Sequence, residues 1–132
     1  MKNLPKLKVF LVDDDALFLK DEEIDMNQEN EYNIKTFATG ELCIAHLSQN
    51  PDVIVIDYWL NGVTKDAMNG QQVLDEVKRF NSDIAVVILS EQKKIDVAVN
   101  CMHHRAFDYV EKGKTAFKKL HHILHTIRLM NL

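Results

Sequence analysis

The sequence is poor in cysteine, in long apolar runs and in clustered basic residues. Its two cysteines, Cys43 and Cys101, lie far apart, and neither has a CxxC partner. Both fall in apolar, helix-like segments, which indicates small core side chains in a reducing cytoplasm and not a disulfide framework. No apolar run approaches membrane-spanning length, so the sequence predicts a cytoplasmic protein that does not bind a membrane.

The charge balance argues against a direct nucleic-acid role. The chain of 132 residues has a net charge of −4 and no basic stripe of the kind that phosphate backbones require. The acidic stretch Asp21–Asp25 is interpreted as a solvated helix face. His121 and His125 have helical i, i+4 spacing but no nearby acidic or thiol partner in the sequence, so an exposed helix face is favoured over a metal site.

Apolar strand-like runs alternate with helix-like segments along the whole chain. Strands are predicted at 7–13, 32–37, 53–57, 84–90 and 106–111. Helices are predicted at 15–27, 39–49, 69–81, 93–103 and 115–130, the first with a poor apolar stripe and the third capped by Asn69. Five β/α units predict a flavodoxin-like, doubly wound parallel α/β sheet with strand order 2-1-3-4-5 and five helices, in a single domain over residues 1–132.

Polar side chains follow four of these strands where each strand ends. They are Asp13, Asp14, Asp57, Ser90 and Lys112. In an open parallel sheet the carboxyl ends of the strands form the ligand-binding edge, so these groups are expected to converge. At an effective dielectric constant near 20, two carboxylates about 4 Å apart repel by about 4 kcal/mol. A hard divalent cation relieves this repulsion, and all-oxygen ligands favour Mg²⁺.

This set of groups suits phosphoryl transfer onto a carboxylate. Asp57 would be the nucleophile, with Mg²⁺ bridging the acceptor and the phosphoryl oxygens. Lys112 would balance the charge, and Ser90 would donate a hydrogen bond to a phosphoryl oxygen.

The chain resembles the receiver domain of two-component response regulators over essentially its full length. Five motifs in order carry the resemblance: Leu-Val-Asp13-Asp14-Asp, Pro51-Asp-Val-Ile-Val-Ile-Asp57, Met68-Asn-Gly70-Gln-Gln-Val-Leu, Val-Ile-Leu-Ser90 and Asp108-Tyr109-Val-Glu-Lys112. No single motif is decisive, since an apolar run followed by Asp is common, but all five with this spacing are specific.

The resemblance implies a role for each matched residue in the metal site. Asp57 is the expected phosphoacceptor and a metal ligand. Asp14 is expected to bind Mg²⁺ directly, Asp13 mainly through water, and Trp59 through its backbone carbonyl.

The resemblance also implies a switch beside the phosphoryl group. Ser90 and Lys112 are expected to contact that group, and Tyr109 matches the aromatic residue that swings inward when Ser90 engages it. A half-buried strand tyrosine packed on helix four is compatible with the same role.

The sequence departs from the family pattern in its loops. Gly70 lies thirteen residues after Asp57, farther than in the family, and the proline-free connection includes Lys65 and Asp66; a partner contact, a lid and a passive insertion are all compatible with it. Gly113 replaces the usual cis-proline after Lys112, so a trans bond is expected there. Glu91 replaces a small residue, and its charge is expected to slow anionic donors or water. Trp59 and Gln92 stand where the family tunes phosphoryl lifetime.

Three other functions are weighed against this interpretation. A degenerate receiver that binds proteins without phosphorylation would not need the complete set of polar strand ends. A haloacid-dehalogenase-type phosphatase needs an Asp two residues after its nucleophile, where this chain has Trp59. A flavin-binding protein needs a hydroxyl- or Gly-rich phosphate loop after strand 1, where acidic residues stand.

The expected partners follow from the family. They are a sensor histidine kinase or phosphotransfer protein as donor and a downstream effector protein or domain as target, with a homodimer through helix four, strand five and helix five also compatible. The sequence fits both a stand-alone receiver and the N-terminal part of a longer regulator. The domain is expected to catalyse its own phosphorylation and dephosphorylation but not to act as an enzyme on other substrates.

Overall fold

A five-stranded parallel sheet with order β2-β1-β3-β4-β5 forms the centre of the molecule in a computed structural model, which describes residues 5–60, 62, 65–91 and 95–131. The strands are β1 (Leu7–Val12), β2 (Tyr32–Phe37), β3 (Val53–Asp57), β4 (Ala85–Ser90) and β5 (Asp108–Glu111). The predicted fold class and strand order are confirmed. Neighbouring strands are parallel throughout, so every carboxyl end lies at the same edge.

Five helices cover the two faces of the sheet. They are α1 (Ala16–Met26), α2 (Gly40–Ala45), α3 (Gly70–Phe80), α4 (Ile95–His103) and α5 (Ala116–Met130). One apolar cluster joins one face of the sheet to α2, α3 and α4. The other cluster joins the opposite face to α1 and α5. Because side chains alternate along each strand, the central strands are apolar on both faces.

The ends of several elements differ from the sequence prediction. The second helix stops at Ala45, and a 3₁₀ turn, Leu47–Gln49, replaces its last residues. His46 accounts for the break, because its backbone leaves the helical region and its N–H bonds back to Cys43 and Ile44. In the α4 prediction, Lys93 and Lys94 lie outside the described residues. Asn69 caps α3 as expected, in a reciprocal capping box with Gln72.

Two interpretations of surface residues are wrong. Glu22 was expected on a solvated face, but its side chain is buried, because it lies between Phe18 and Met26 on the inner face of α1. His121 was expected to lack an acidic partner, but its Nε2 lies 2.7 Å from Asp25 Oδ2, which brings α5 and α1 together. Among the described residues, no helix has the length and apolarity needed to cross a membrane.

Candidate functional site at the carboxyl edge of the sheet

The register of the strands determines which side chains meet at the carboxyl edge. Val12 pairs with Ile56, so Asp13 and Asp57, the next residues, lie side by side. Ser90 pairs with Glu111, so Lys112 follows one position beyond Ser90. The Lys112 N–H donates to the Ser90 carbonyl at 2.7 Å and extends this pairing. Four strands therefore deliver their terminal polar residues to one place.

Three carboxylates form the base of the site. Asp13, Asp14 and Asp57 each offer an oxygen, and these oxygens all lie within 4.8 Å of one another. Asp13 and Asp57 are almost fully buried, with 1% and 5% of their surface exposed, and Asp14 is half-buried. Asp13 Oδ1 accepts the Asp15 N–H at 2.9 Å, and Asp57 Oδ1 accepts the Trp59 N–H at 3.4 Å. Backbone donors thus orient two of the three acids.

Lys112 supplies the positive charge of the site. Its Nζ lies 2.9 Å from Asp13 Oδ2 and 3.6 Å from Asp57 Oδ2, and its side chain is 9% exposed. Burial lowers the pKa of Lys112, but the hydrogen bond with Asp13 and the charge of Asp57 outweigh that effect and the net shift is upward. The ammonium group is therefore charged at neutral pH and offsets one of the carboxylates.

The environment makes the buried carboxyls less acidic than usual. Burial raises the pKa of Asp57 to about 6, and the charge of Asp13 adds to this, while Lys112 and the Trp59 N–H oppose it. Burial also raises the pKa of Asp13, against the opposing hydrogen bonds from Lys112 and Asp15. Both shifts arise mainly from burial, and the neighbouring carboxylates add to them. A bound cation would oppose both effects, because it favours the ionised form of each acid.

The donor set fits a hard divalent cation. All three clustered side chains offer carboxylate oxygens, and no thiolate or imidazole belongs to the cluster among the residues that the structure describes. Oxygen ligands of this type suit Mg²⁺, which keeps several waters and uses one or two carboxylates. Asp13, Asp14 and Asp57 are therefore the residues that would hold the ion.

A cleft of about 370 Å³ opens above the carboxylates. Its lining residues are Asp14, Asp15, Asp57, Trp59, Gly62, Glu91 and Lys112. The Trp59 indole is 43% exposed and packs edge-on against the Tyr58 ring at a centroid distance of 4.8 Å. Glu91 is exposed and places a carboxylate in this lining, in line with the expectation from its position after Ser90. Of the other residues singled out from the sequence, Gln92 lies outside the described part of the chain.

The β3–α3 connection is held at its α3 end by contacts with the end of β3 and with α2. The Gly70 N–H donates to the Tyr58 carbonyl at 2.8 Å, and a Cβ at Gly70 would lie 2.7 Å from the Tyr58 Cα. Glycine is therefore required where α3 begins against the end of β3. Two residues before Gly70, the Met68 N–H donates to the Glu41 carboxylate on α2 at 3.0 Å. Lys65 and Asp66 are exposed, whereas Asn61, Val63 and Thr64 lie outside the described residues.

The residues expected to form the switch lie on the α4 side of the site. Ser90 is buried at the end of β4, and Tyr109 is half-buried on β5. Tyr109 packs against the cluster that contains Cys101 of α4. Tyr58 packs against the same cluster, and burial raises the pKa of its phenol, with the nearby Cys101 and Tyr109 contributing. Tyr58, the residue after Asp57, thus lies near both Cys101 and Tyr109.

Three residues at the site were not singled out by the sequence. Asp15 caps α1, since its side chain accepts the N–H groups of Leu17 and Phe18. The Phe18 ring faces Lys112, and the Glu22 carboxyl is buried close enough for Asp13, Lys112 and Asp57 to affect its pKa. Phe18, Glu22 and Met26 have the i, i+4, i+8 spacing of one helix face. An apolar residue at position 22 would have marked this face as buried, but the acid interrupts the apolar pattern.

Comparison with known proteins identifies relatives by sequence. The sequence model of one protein family, the response regulator receiver domain, matches residues 9–125. The nitrogen assimilation regulatory protein NtrX of Azorhizobium caulinodans is 27% identical over 106 residues, which are 77% of this chain and 23% of the relative. An NtrX-like response regulator of Rickettsia typhi is 33% identical over 105 residues, which are 74% of this chain and 22% of the relative. The chain thus matches about a quarter of the length of these relatives.

Solved structures share the fold. A response regulator receiver domain protein from Clostridium thermocellum superposes with a TM-score of 0.82 at 21% identity. The superposition covers 95% of this chain and 96% of the Clostridium chain. The receiver domain of NtrX from Brucella abortus superposes with a TM-score of 0.79 at 22% identity. The superposition covers 91% of this chain and 97% of the Brucella chain. At these identities the likeness speaks for the fold alone.

Proposed function

The chain belongs to the response regulator receiver domain family, whose general role is that of a phosphoacceptor in signalling, and from this premise we propose that Asp57 accepts the phosphoryl group. The observation that carries the proposal is the convergence of the Asp13, Asp14 and Asp57 carboxylates with the Lys112 ammonium in one cleft. Family members generally bind Mg²⁺ at such an acidic pocket. We assign that ion to Asp14 and Asp57 directly, to Asp13 through water and to the Trp59 carbonyl.

The proposed reaction transfers one phosphoryl group between nucleophiles. An oxygen of the ionised Asp57 carboxylate attacks phosphorus, and the bond from phosphorus to the donor breaks with its electron pair going to the donor. The donor atom is a histidine nitrogen in a kinase or phosphotransfer protein, or a carboxylate oxygen in a small acyl phosphate. When bound, Mg²⁺ supplies positive charge to the oxygens of the transferred group.

The side chains around Asp57 would support this step. Lys112 already lies 3.6 Å from Asp57 Oδ2, so its charge is in place for an incoming phosphoryl oxygen. The Ser90 hydroxyl would donate to another phosphoryl oxygen. Attack of water on the acyl phosphate would later return Asp57 and free phosphate, which is the self-dephosphorylation that we include in the proposal.

Mass spectrometry of the intact protein tests the acceptor. We expect acetyl phosphate with Mg²⁺ to add one phosphoryl group to the wild type and none to Asp57→Asn. Asp66→Asn, which removes an exposed acid from the long connection, is the matched control and should label like the wild type. An unchanged adduct on Asp57→Asn would move the nucleophile to another residue.

We propose that the output surface is formed by α4, β5 and α5. The outer side of α4 supports this, because the apolar residues Ile95, Val99 and Met102 are 73%, 49% and 47% exposed. Tyr109 lies on β5 at the edge of the same surface and could transmit a movement of Ser90. The partners proposed for the domain are a histidine kinase or phosphotransfer protein and a downstream effector, and a homodimer would use this surface. A single receiver domain over residues 1–132 and a cytoplasmic location belong to the same proposal.

Amide exchange tests the output surface. Beryllofluoride, a phosphoryl mimic, with Mg²⁺ should change exchange rates across residues 90–112, and Asp57→Asn should show no such change. Changes confined to residues 57–70 would instead make the long connection the output.

A further inference from the structure

An aromatic ring covers the side of the Lys112 ammonium group that the carboxylates leave open. Lys112 Nζ lies 4.0 Å from the centroid of the Phe18 ring, with Asp13 Oδ2 at 2.9 Å and Asp57 Oδ2 at 3.6 Å. Phe18 is half-buried in the first turns of α1. The ammonium group therefore contacts two carboxylates and one π face.

The Phe18 ring is itself held in place by a second aromatic ring. Phe117 on α5 packs against it, with the centroids 5.6 Å apart and the planes tilted by 49°. On the other side, the Asp15 side chain accepts the Phe18 N–H and fixes the start of α1. The ring position is thus determined by α1 and α5 together and does not depend on Lys112 alone.

The loop after Lys112 provides no comparable support. Gly113 follows it, no cis peptide bond occurs in the described part of the chain, and a Cβ at Gly113 would have nothing within 4 Å. The backbone here is held by the Lys112 N–H bond to the Ser90 carbonyl and by the Ala116 N–H, which donates to the Gly113 carbonyl at 3.1 Å. Neither bond fixes the Lys112 side chain. The position of the long Lys112 side chain therefore depends on the groups around its tip.

We propose that Phe18 is a positioning residue for Lys112, which keeps the ammonium group at the carboxylate cluster before and during phosphoryl transfer. The inference rests on the proposed function of Asp57. During transfer the ammonium group must exchange contacts with Asp13 for contacts with a phosphoryl oxygen. A π face attracts a cation without fixing one hydrogen-bond direction, so it can hold Lys112 through this exchange. Removing the ring would leave more positions open to the side chain and slow the reaction.

Three variants separate the π face from simple packing. Phe18→Leu keeps an apolar side chain but removes the ring, and Phe18→Tyr keeps the ring. Phe107→Leu removes a half-buried ring from the same apolar layer, away from Lys112, and is the matched control. We expect Phe18→Leu to phosphorylate Asp57 about three- to tenfold more slowly with acetyl phosphate at saturating Mg²⁺, since a partly desolvated cation–π contact is worth that much. Phe18→Tyr and Phe107→Leu should stay within about twofold of the wild type.

Lysine NMR gives a readout that does not depend on phosphorylation. In metal-free wild type, the ring current of Phe18 should shift the Lys112 Hε protons upfield of those of the exposed lysines. Phe18→Leu should abolish this shift, Phe18→Tyr should retain it, and Phe107→Leu should leave it unchanged. Lys112→Arg assigns the resonance.

Each alternative result has a definite meaning. An unchanged rate and Hε shift in Phe18→Leu would overturn the proposal, as would equal slowing in Phe107→Leu or a Phe18→Tyr variant as slow as Phe18→Leu. A wild type that takes no phosphoryl group on Asp57 would overturn the proposed function instead. The Hε shifts would then decide by themselves whether Phe18 positions Lys112.

Discussion

Lys112 Nζ and Asp13 Oδ2 lie 2.9 Å apart although the residues are separated by 99 positions in the chain. Asp13 follows β1 and Lys112 follows β5, and β3 and β4 lie between these two strands. The lysine side chain therefore extends across the ends of two strands to reach its partner. This ion pair links the ends of the first and last strands in chain order, and it leaves the ammonium group 3.6 Å from Asp57 Oδ2.

Asp14→Asn should stabilise the fold when no metal is present. The substitution removes one of three clustered carboxylates, of which Lys112 offsets only part, so we expect the free energy of unfolding to rise by about 1 kcal/mol in chelator. Urea melts measure this free energy. Asp21→Asn is the control, because Asp21 is exposed on α1 and its substitution should change the free energy of unfolding little. Added Mg²⁺ should stabilise the wild type and not Asp14→Asn. A destabilised variant would mean that Asp14 is held by structural hydrogen bonds.

Glu22 should make the fold less stable as the pH rises. Burial, and then the charge of Asp13, raises the pKa of Glu22 to about 8, and its Oε2 has no hydrogen-bond partner among the residues that the structure describes. Between the unfolded pKa near 4.5 and this value, the folded state holds a proton that the unfolded state releases. Stability therefore falls as the pH rises through that window and is unaffected by this group below it.

Glu22→Gln removes the pH-dependent loss. At pH 7 we expect the variant to be more stable than the wild type by about 2–3 kcal/mol, a difference that should shrink towards pH 4.5. Urea melts from pH 4.5 to pH 8 measure it. Glu23→Gln is the control. Glu23 lies next to Glu22 in sequence but is partly exposed, and its carboxylate has a positive neighbour, Lys20 Nζ, at 3.8 Å. A difference that does not vary with pH would show that Glu22 is charged in the folded state.

The nucleophile proposed for this site should titrate near pH 6 without metal. Burial and the charge of Asp13 raise the pKa of Asp57 to about 6, so its reactive carboxylate form should decline as the pH falls through that value. The ¹³C shift of its carboxyl carbon, assigned with Asp57→Asn, follows this titration directly. Mg²⁺ should move the midpoint downwards, since a cation favours the ionised form. A metal-free midpoint near 3.8 would contradict the prediction.

Trp59 should report Mg²⁺ binding by fluorescence. It is the only tryptophan, it lines the cleft, and its backbone N–H donates to Asp57 Oδ1. Ligation at residues 57–59 would alter the surroundings of the partly exposed indole, so emission should change saturably with Mg²⁺. Asp14→Asn should abolish the response, and NaCl of equal ionic strength should not reproduce it. No response in a protein that calorimetry shows to bind Mg²⁺ would mean that the indole points away from the cleft, and the proposed influence of Trp59 on phosphoryl lifetime would be dropped.

The strand ends could be predicted because their signal is local. Each strand is a short apolar run that stops at a polar residue, and the order of β/α units determines the sheet topology. Once the order is known, Asp13 and Asp57 must be neighbours, as the pairing of Val12 with Ile56 shows. That part of the architecture needs no knowledge of side-chain packing.

The environment of α1 could not be predicted in this way. Its inner face contains Phe18, Glu22 and Met26, so a buried acid interrupts the apolar pattern from which inner faces are inferred. The burial of Glu22 depends on α5 packing over α1, a contact made only in the folded chain. The contact of Phe18 with Lys112 likewise joins residues from opposite ends of the sequence.

The position of β5 as the last strand in chain order has a consequence for synthesis. The acids at positions 13, 14 and 57 leave the ribosome long before the lysine that balances them. A partly synthesised chain therefore carries the carboxylates without their counter-charge, and the sheet edge that aligns them still lacks its final strand. The complete set of three acids and one lysine therefore exists only after the last strand of the sheet has been synthesised.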